Sequence, residues 1–491
     1  MSSAPDELRV AFRSVFPGVM LAMFLASVDQ TILASALPAI VASLGGFADL
    51  SWVIVAYLLA ATVAAPLYGH IGDRFGRRAT LLAALAVFTL ASLACALAPT
   101  LWALILARAL QGLGGGGLMT LSQALIGENV PPRQRAHFQG YFAAVFAASS
   151  MLGPVLGALL TEYASWRAVF FINLPLGAIA ALLAWRIPRH APPRRPRFRP
   201  DFAGVILFAV GLPLILFALS SAGNRFAWAD WRLYAILALG IAVLASLVVW
   251  ERRAADPITP VRLLASPAIW RSNVVVACLA ASLFGAVLYL PLYLQIGRGF
   301  GIGASGLLLV PITLSAAVVA TFTGRQIART GRLTGYTTRG FLLSTAAFAA
   351  LALSVASAPI AVIIALTLLA GAGLGTPMPP TQIIVQTAAG SASLGSGIAS
   401  ISVSRSIGGA LGVAIVGAVL FVLVGREDSV LASVLPHLRE SGGAALANLP
   451  PAARAAVGAQ LDHAFEVAFA VLAAFTAIGA YAASKVPAQR L

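Results

Sequence analysis

The stretch GHIGDRFGRR, residues 69–78, packs three arginines, one aspartate and three glycines between two apolar stretches. Each apolar stretch is long enough to cross a bilayer, because about 20 apolar residues in a helix span the hydrocarbon. The rest of the chain is similar in character: of its 491 residues, 60% are hydrophobic and 10% are charged. A soluble core could not bury so much apolar surface, so the composition predicts a polytopic membrane protein.

Fourteen segments are long and apolar enough to span a membrane, and turns, charges or Pro/Gly clusters separate them. Long apolar runs, unlike short alternating strands, indicate helices and not a barrel. The predicted fold class is therefore an all-α integral membrane protein with fourteen transmembrane helices. The predicted spans start near residues 14, 51, 80, 102, 138, 167, 202, 231, 272, 304, 338, 360, 397 and 464.

The net charge of +16 would favour a nucleic-acid partner in a soluble protein, but here its distribution along the chain matters more. Most of the 32 lysines and arginines fall in loops and tails on one side of the predicted membrane. Cytoplasmic segments carry this excess of positive charge. Together with the even number of spans, the pattern predicts a multi-pass protein of a bacterial inner membrane, with both termini in the cytoplasm and no nucleic-acid partner.

The segment GRQIARTGRL, residues 324–333, repeats the opening stretch at an offset of 255 residues. Glycine, basic, glycine and arginine residues fall in register, whereas Ala328 stands where Asp73 stands in the first copy. This degenerate repeat implies that the chain has two related halves.

Residues 69–81 resemble the G-x-L-A-D-R-x-G-R-R-x-x-L loop between the second and third helices of major facilitator superfamily transporters, although Ile71 replaces Leu and Gly72 replaces Ala. The segment SVDQTILASALPAI, residues 27–40, resembles the L-D-x-T-I-V-N-V-A-L-P signature of the fourteen-helix drug:proton antiporter branch. The resemblance covers essentially the whole chain, with its motifs in the expected order.

The resemblance also implies a domain organisation, because the two halves of such transporters are six-helix bundles related by an axis along the membrane normal. Two of the fourteen helices are then an insertion between the halves. The basic linker is expected to touch anionic lipid headgroups, and the last outer segment is expected to form an extracytoplasmic hairpin. The predicted parts are the N-terminal bundle (1–186), the basic cytoplasmic linker (187–201), the inserted helices (202–250), a second cytoplasmic linker (251–271) and the C-terminal bundle (272–491) with the outer segment 425–463.

Asp29 lies in the first predicted helix, about eleven residues before its outer end and so roughly 16 Å from that surface. An ionised carboxylate near mid-membrane is costly, so desolvation favours its protonated form unless a cation pairs with it. We therefore expect Asp29 to exchange protons during transport. The alternative is a structural polar residue that is hydrogen-bonded to a neighbouring helix.

The fourth predicted helix contains LARALQGLGGGG, residues 106–117, which resembles the R-x-x-Q-G-x-G segment of the family. Arg108 is about seven residues deep, roughly 10 Å, and Gln111 lies a turn further along on the same face. If this helix faces the first one, protonation of Asp29 would release Arg108 from a charge pair. A permanent structural ion pair is the alternative, and the run of glycines is expected to permit close helix packing.

The loop at residues 69–78 is predicted to be a conformational latch between the halves, with a simple cytoplasmic anchor as the alternative. An aspartate there can accept from a facing helix N-terminus or from an arginine, and the arginines can bind acidic partners or lipid phosphates. The residues assigned to the latch are Gly69, Asp73, Arg74, Gly76, Arg77 and Arg78.

The fifth predicted helix carries Gly153, Pro154 and Gly157, which resemble the exporter motif G-P-x-x-G-G with Ala158 in place of the last glycine. A proline kink with small residues would let this helix bend against its partner in the other half. Arg405, in the segment SRSIGGALG, is also assigned to the gate. The segment WRAVFFINLPLG, residues 166–177, resembles the family's entry to the sixth helix.

Several polar residues in predicted spans are candidates for a substrate cavity, although polar residues also join helices in membranes. They are Asp29, Tyr57, Gln111, Tyr289, Tyr293, Gln382 and Gln386. The chain has no H-E-x-x-H motif, no G-x-S-x-G at a usable position and no nucleotide-binding loop, so we expect no enzyme, no metal and no cofactor.

The resemblance implies a proton-coupled antiporter that exports amphipathic or cationic drugs by alternating access, in contact with membrane lipids and as a monomer. One alternative is a proton-coupled exporter of a specific metabolite or lipid. An alternative of another class is a membrane sensor that binds its ligand without net transport.

Overall fold

The computed structural model describes residues 14–45, 52–188, 201–222, 226–254, 257, 261–300, 302–333, 335–354, 356–424 and 451–487. Most of the basic linker at 187–201, and residues 425–450 of the expected outer hairpin, lie outside the described residues.

The described part of the chain is helical throughout, apart from turns, short loops and one isolated bridge. Long apolar runs leave the backbone no partner but itself inside a membrane, and a helix satisfies every backbone group within the segment. The α-helices are α1 (Phe16–Leu44), α2 (Trp52–Phe75), α3 (Arg77–Ala96), α4 (Leu101–Asn129), α5 (Pro132–Tyr163), α6 (Ala168–Phe171), α7 (Asn173–Trp185), α8 (Phe202–Ser221), α9 (Trp231–Glu251), α10 (Val261–Leu264), α11 (Pro267–Ile296), α12 (Ile302–Leu307), α13 (Val310–Thr330), α14 (Tyr336–Ser354), α15 (Ile360–Gly375), α16 (Met378–Ala389), α17 (Leu394–Val424) and α18 (Pro451–Ser484).

Twelve helical segments of the described residues are long and apolar enough to cross a membrane. Helices α5 and α14 are not among these twelve, although their 32 and 19 residues make them long enough, about 48 and 28 Å at 1.5 Å per residue. Both contain more polar residues than the others. A helical segment therefore lies near each of the fourteen predicted span positions, and twelve of these segments qualify by length and apolar composition.

The buried apolar side chains form separate clusters in the two parts of the sequence. Two clusters draw only on α1 to α7 and the residues beside them, around Phe88 and Phe170. The largest draws on α11 and later elements, around Phe341, Phe348 and Phe469. Helices α8 and α9 pack against each other, and α8 also packs against α2 and α17. The pair therefore covers one side of the seam where α2 meets α17.

The structure corrects the expected boundary of the outer segment. Residues 451–463 belong to the first turns of α18, which runs without interruption from Pro451 to Ser484. An alanine-rich stretch follows Pro451, and alanine has the highest helix propensity, while proline is well tolerated at a helix start. These residues therefore extend the last helix and do not form a separate hairpin arm.

Candidate functional site

Asp29 lies in the middle of α1 and accepts hydrogen bonds from three side chains on two other helices. Arg108 Nη1 donates to Asp29 Oδ2 at 2.5 Å, which makes a buried ion pair. Gln111 Nε2 donates to Asp29 Oδ1 at 2.8 Å, and Asn173 Nδ2 donates to the same oxygen at 3.0 Å. The structure thus brings together Asp29, Arg108 and Gln111, which the sequence placed only at similar depths.

Arg108 is held from several sides at once. Its Nε donates to the carbonyl of Val53 at 3.1 Å, and its Nη1 also donates to Gln111 Oε1 at 2.6 Å. Its guanidinium carbon lies 4.3 Å from the ring centre of Tyr57, within the range of a cation–π contact. These contacts tie α4 to α2, so a movement of Arg108 would be felt along α2.

Ser92 closes the network from α3. Its Oγ receives hydrogen bonds from Gln111 Nε2 at 2.6 Å and from Asn173 Nδ2 at 3.2 Å. Sequence reasoning did not assign roles to Ser92 or Asn173. Asn173 could have been found, because it is the asparagine of the sixth-helix motif; a serine inside an apolar helix carries no comparable signal. Five helices, α1, α2, α3, α4 and α7, therefore meet at one polar cluster.

This cluster is enclosed by the N-terminal part of the chain. Asp29, Tyr57, Arg108 and Gln111 are each at most 1% exposed. The structure therefore places Asp29, Tyr57 and Gln111 inside the helix packing, and not on the wall of an open cavity as expected. One carboxylate and one guanidinium compensate each other there, and removal of one partner from such a buried pair costs about 3–5 kcal/mol.

The glycine run of α4 explains why these helices approach so closely. A Cβ on Gly114 would lie 2.7 Å from the Cα of Phe88 in α3, and one on Gly116 would lie 2.8 Å from the carbonyl carbon of Ala61 in α2. Real side chains do not fit at these distances. The prediction that the glycines permit close helix packing is confirmed.

Asp73 connects the N-terminal part of the chain to the start of α17. The amide of Gly395 donates to the Asp73 carboxylate at 3.0 Å, and the amide of Ser396 donates to its Oδ2 at 3.2 Å. The unpaired amides and dipole of a helix N-terminus favour a negative charge at this position. Arg77 Nη2 donates to Asp73 Oδ1 at 2.7 Å. Both predicted kinds of donor, a helix N-terminus and an arginine, are therefore present.

The arginines of the loop make different contacts. Arg77 Nη2 also donates to the carbonyl of Ser391 at 2.9 Å, and its Nη1 lies 3.3 Å from Glu128 Oε2 at the end of α4. Arg78 donates to the carbonyl of Trp185 at the end of α7. Arg74 lies half-buried in the last turn of α2. Arg77 thus links α2, α4 and the segment before α17.

Two glycines of the loop are required by the backbone. A Cβ on Gly69 would lie 2.6 Å from the carbonyl oxygen of Gly395, so α2 and α17 touch through glycine on both sides. Gly76, between α2 and α3, has φ = 97° and ψ = 129°, a conformation that other residues adopt only under strain.

Gly153 and Gly157 face α1 of the same half. A Cβ on Gly153 would lie 2.8 Å from Thr31 Cβ, and one on Gly157 would lie 3.1 Å from the carbonyl carbon of Ile32. Pro154 lies between them within α5. The same helix touches the other half nearer its start, where Thr321 Oγ1 of α13 donates to the carbonyl of Gly140 at 3.2 Å. At the motif itself, α5 packs against α1 and not against the other half as expected.

The remaining cavity candidates fall into two groups. Tyr289 and Tyr293 pack inside the C-terminal part: the hydroxyl of Tyr289 donates to the carbonyl of Val413 at 2.8 Å, and Tyr293 is fully buried. Gln382 and Gln386 are buried on α16, where Gln382 Nε2 donates to Gln123 Oε1 of α4 at 2.8 Å. The two glutamines therefore belong to the contact between the two parts of the chain.

Arg405 lies in α17 next to another such contact. The hydroxyls of Thr62 in α2 and Ser406 in α17 are 3.0 Å apart. Arg405 itself lies deep in the protein, yet its side chain keeps part of its surface accessible.

A comparison with family models gives a match to the Major Facilitator Superfamily over residues 19–413. This chain belongs to the major facilitator superfamily. The superfamily consists of transporters and not of enzymes, so the expectation that the chain is no enzyme is confirmed at the level of the family.

Relatives within the superfamily carry names that refer to efflux. The multidrug transporter protein MdtP of Bacillus subtilis is 32% identical over 82% of this chain and 74% of its own length. The efflux pump dotC of Dothistroma septosporum is 34% identical over 82% of this chain and 70% of its own length. An uncharacterized MFS-type transporter of Mycobacterium tuberculosis is 35% identical over 83% of this chain, but the match spans only 59% of that relative.

Two solved structures of the superfamily share the fold. The human organic anion transporter MFSD10 superposes with a TM-score of 0.65 at 17% identity, covering 96% of this chain and 99% of its own. The proton:xylose symporter XylE superposes with a TM-score of 0.61 at 13% identity, covering 97% of this chain and 96% of its own. At these identities the likeness concerns the fold alone.

Proposed function

We propose that this member of the major facilitator superfamily is a proton-coupled antiporter that exports amphipathic small molecules by alternating access. The observation that carries the proposal is the buried pair of Asp29 and Arg108, which joins five helices of the N-terminal half. The names of relatives such as MdtP and dotC, a multidrug transporter and an efflux pump, support export as the direction.

The pair can respond to a proton because its two members need each other. An ionised Asp29 compensates Arg108, whereas a protonated Asp29 leaves a buried guanidinium with only neutral partners, Val53, Tyr57 and Gln111. A buried charge without a counter-ion is costly. Protonation therefore favours any arrangement of the helices in which Arg108 reaches water or another acceptor.

Helix α2 carries this change towards the cytoplasmic side. It holds Val53 and Tyr57 of the polar cluster near its start, and Asp73 of the latch near its end. Residues 57 and 73 are 16 positions apart, about 24 Å along one helix. We propose that displacement of α2 at the cluster breaks the bonds between Asp73 and α17, which opens the inner side. This is the role proposed for the latch residues predicted from the sequence.

The proposal includes fourteen membrane crossings with both termini in the cytoplasm of a cytoplasmic membrane. The length of α5 and α14 supports two crossings beyond the twelve apolar ones. The separate apolar clusters support two six-helix halves, residues 1–186 and 272–491, with α8 and α9 as the inserted pair. We propose that the protein acts as a monomer, in contact with membrane lipids, and uses the proton gradient with no further cofactor.

The test must separate coupling from folding, because Asp29→Asn alone leaves Arg108 uncompensated. The double variant Asp29→Asn/Arg108→Gln removes both charges and keeps hydrogen-bonding groups in the cluster. Reconstituted into liposomes, it is expected to fold and to let a panel of fluorescent amphipathic compounds equilibrate, but not to accumulate them against a gradient when a pH gradient is applied. Asp230→Asn is the matched control, since Asp230 caps α9 at an exposed site.

Gradient-driven accumulation at the wild-type level by the double variant would show that the pair is only structural. Absence of pH-driven accumulation by the wild-type protein, with every compound of the panel, would refute proton-coupled export itself. Binding of the compounds without any counterflow would favour the sensor.

A further inference from the structure

Arg405 is a charged residue in the middle of a long apolar helix. It lies eleven residues after the first residue of α17, Leu394, which is about 16 Å along the axis of a helix that crosses a core of about 30 Å. An ionisable side chain at this depth is expensive, and such residues usually mark a pathway or a binding site.

The guanidinium of Arg405 has no counter-ion in the part of the chain that the structure describes. No carboxylate of those residues forms an ion pair or a hydrogen bond with it, and burial is the one influence of the protein on its ionisation. Asp29, the carboxylate at a similar depth, is already bound by Arg108, Gln111 and Asn173. The interior therefore carries one positive charge that its own residues do not balance.

The position of Arg405 on α17 indicates where this charge points. Leu394 and Ile398 lie on the same face of the helix, at spacings of eleven and seven residues from it, and both pack with Ala124 of α4. The next residue, Ser406, contacts Thr62 of α2. Arg405 is thus at the boundary between α17 and the N-terminal half. Its position deep in the protein, together with its partly accessible side chain, places it beside an internal space.

We propose that Arg405 binds the anionic group of the transported compound, so that the cargo is an amphipathic organic anion such as a carboxylate or a sulfonate. This inference rests on the proposed function and specifies its substrate class, in place of the cationic drugs that the family resemblance suggested. A guanidinium presents a planar fork of donors that matches a carboxylate or sulfonate and forms charge-assisted hydrogen bonds. The anion supplies the counter-charge that the interior lacks.

The test uses three fluorescent probes that share one ring system and differ in charge: dansylglycine is anionic, dansylglycinamide is neutral and dansylcadaverine is cationic. Equilibrium binding to the purified full chain in detergent is expected to favour dansylglycine. In Arg405→Gln, affinity for dansylglycine falls at least about tenfold, as expected for loss of a hydrogen bond to a charged group, whereas affinity for the neutral probe changes little. Arg405→Lys keeps the charge and retains part of the preference. The matched control is Arg252→Gln, at an exposed arginine just past α9.

Equal affinity of the wild-type protein for the three probes would overturn the proposal, and so would a preference for dansylglycine that survives in Arg405→Gln. Binding of the neutral probe by each variant verifies that it is folded. Because binding is measured without a gradient, the substrate class and the proposed coupling can fail separately. Anion-selective binding without pH-driven export refutes the coupling alone, and pH-driven export of dansylcadaverine in preference to dansylglycine refutes the substrate class alone.

Discussion

The two related inner loops, residues 69–78 and 324–333, share a backbone device but not a contact. Gly76 and Gly331 stand at the same position of the repeat, and both have a positive φ, 97° and 67°. Asp73 in the first loop binds the first turn of α17. Ala328 in the second loop has no carboxylate with which to do so. The shared fold of the loops is therefore independent of the latch, which depends on one side chain.

The helices that face the two loops differ as well. Helices α5 and α13 touch at Gly140 and Thr321, so their inner ends, Pro132 and Ala328, lie about 12 and 10 Å further along. Helix α5 begins after two prolines, Pro131 and Pro132, which have no N–H to donate. The first turn of α17 offers the amides of Gly395 and Ser396. The asymmetry is thus built into both sides of the contact, acceptor and donor.

The largest effect is expected from Asp73→Asn, which removes the carboxylate that binds α17 and Arg77. Loss of one partner from such a buried charged contact costs about 3–5 kcal/mol. Spin labels at Ala79 and Thr387, exposed positions near the inner ends of the two halves, are expected to report a longer distance in the variant. The label pair in an Asp230→Asn background is the control, and an unchanged distance distribution in Asp73→Asn would reduce the loop to an anchor.

The same substitution at the two glycines compares the two backbones directly. Gly76→Asn places a side chain at φ = 97° and ψ = 129°, where strain costs about 1–3 kcal/mol. Gly331→Asn meets φ = 67° and ψ = 3°, the left-handed helical region, where asparagine costs less than about 1 kcal/mol. Thermal unfolding in detergent should show the larger loss for Gly76→Asn. Equal losses would mean that the two loops are equally tolerant and that the difference in ψ is unimportant.

Ala328→Asp tests whether an acceptor alone makes a second latch. The new carboxylate can pair with Arg332, the counterpart of Arg77, but it meets a helix whose first turn has lost an N–H to proline. We expect a stabilisation of no more than about 1 kcal/mol and no rescue of the label distance when it is combined with Asp73→Asn. Full rescue by the double variant would show that the position of the carboxylate is unimportant.

The smallest effect is expected from Glu128→Gln. Glu128 lies 3.3 Å from Arg77, but its side chain is 27% exposed, so water screens the pair. A loss of at most about 1 kcal/mol is expected in thermal unfolding, and less at high salt. A loss as large as that of Asp73→Asn would place the main contact of Arg77 at Glu128.

Much of the candidate site could be predicted from particular residues. The depth of Asp29, Arg108 and Gln111 follows from counting 1.5 Å per residue along apolar helices, and Asp73 stood in a recognisable loop. Ser92 and the amide of Gly395 could not be predicted, because a serine in an apolar helix and a backbone N–H have no distinguishing pattern. Gly153 and Gly157 were read correctly as close-packing residues, but the helix they pack against could not be inferred from their own segment.

The sequence by itself determined the class of the protein, the positions of its helical segments, the repeat of the inner loop and the depth of each buried charge. These properties follow from local composition and from helix geometry along one axis. Only the tertiary structure decided that Asp29 is neutralised within one half, that Asp73 meets α17, and that Arg405 keeps no counter-ion among the described residues. Such partnerships depend on how each helix is rotated about its axis and which neighbours it packs against, and packing over the whole molecule sets both.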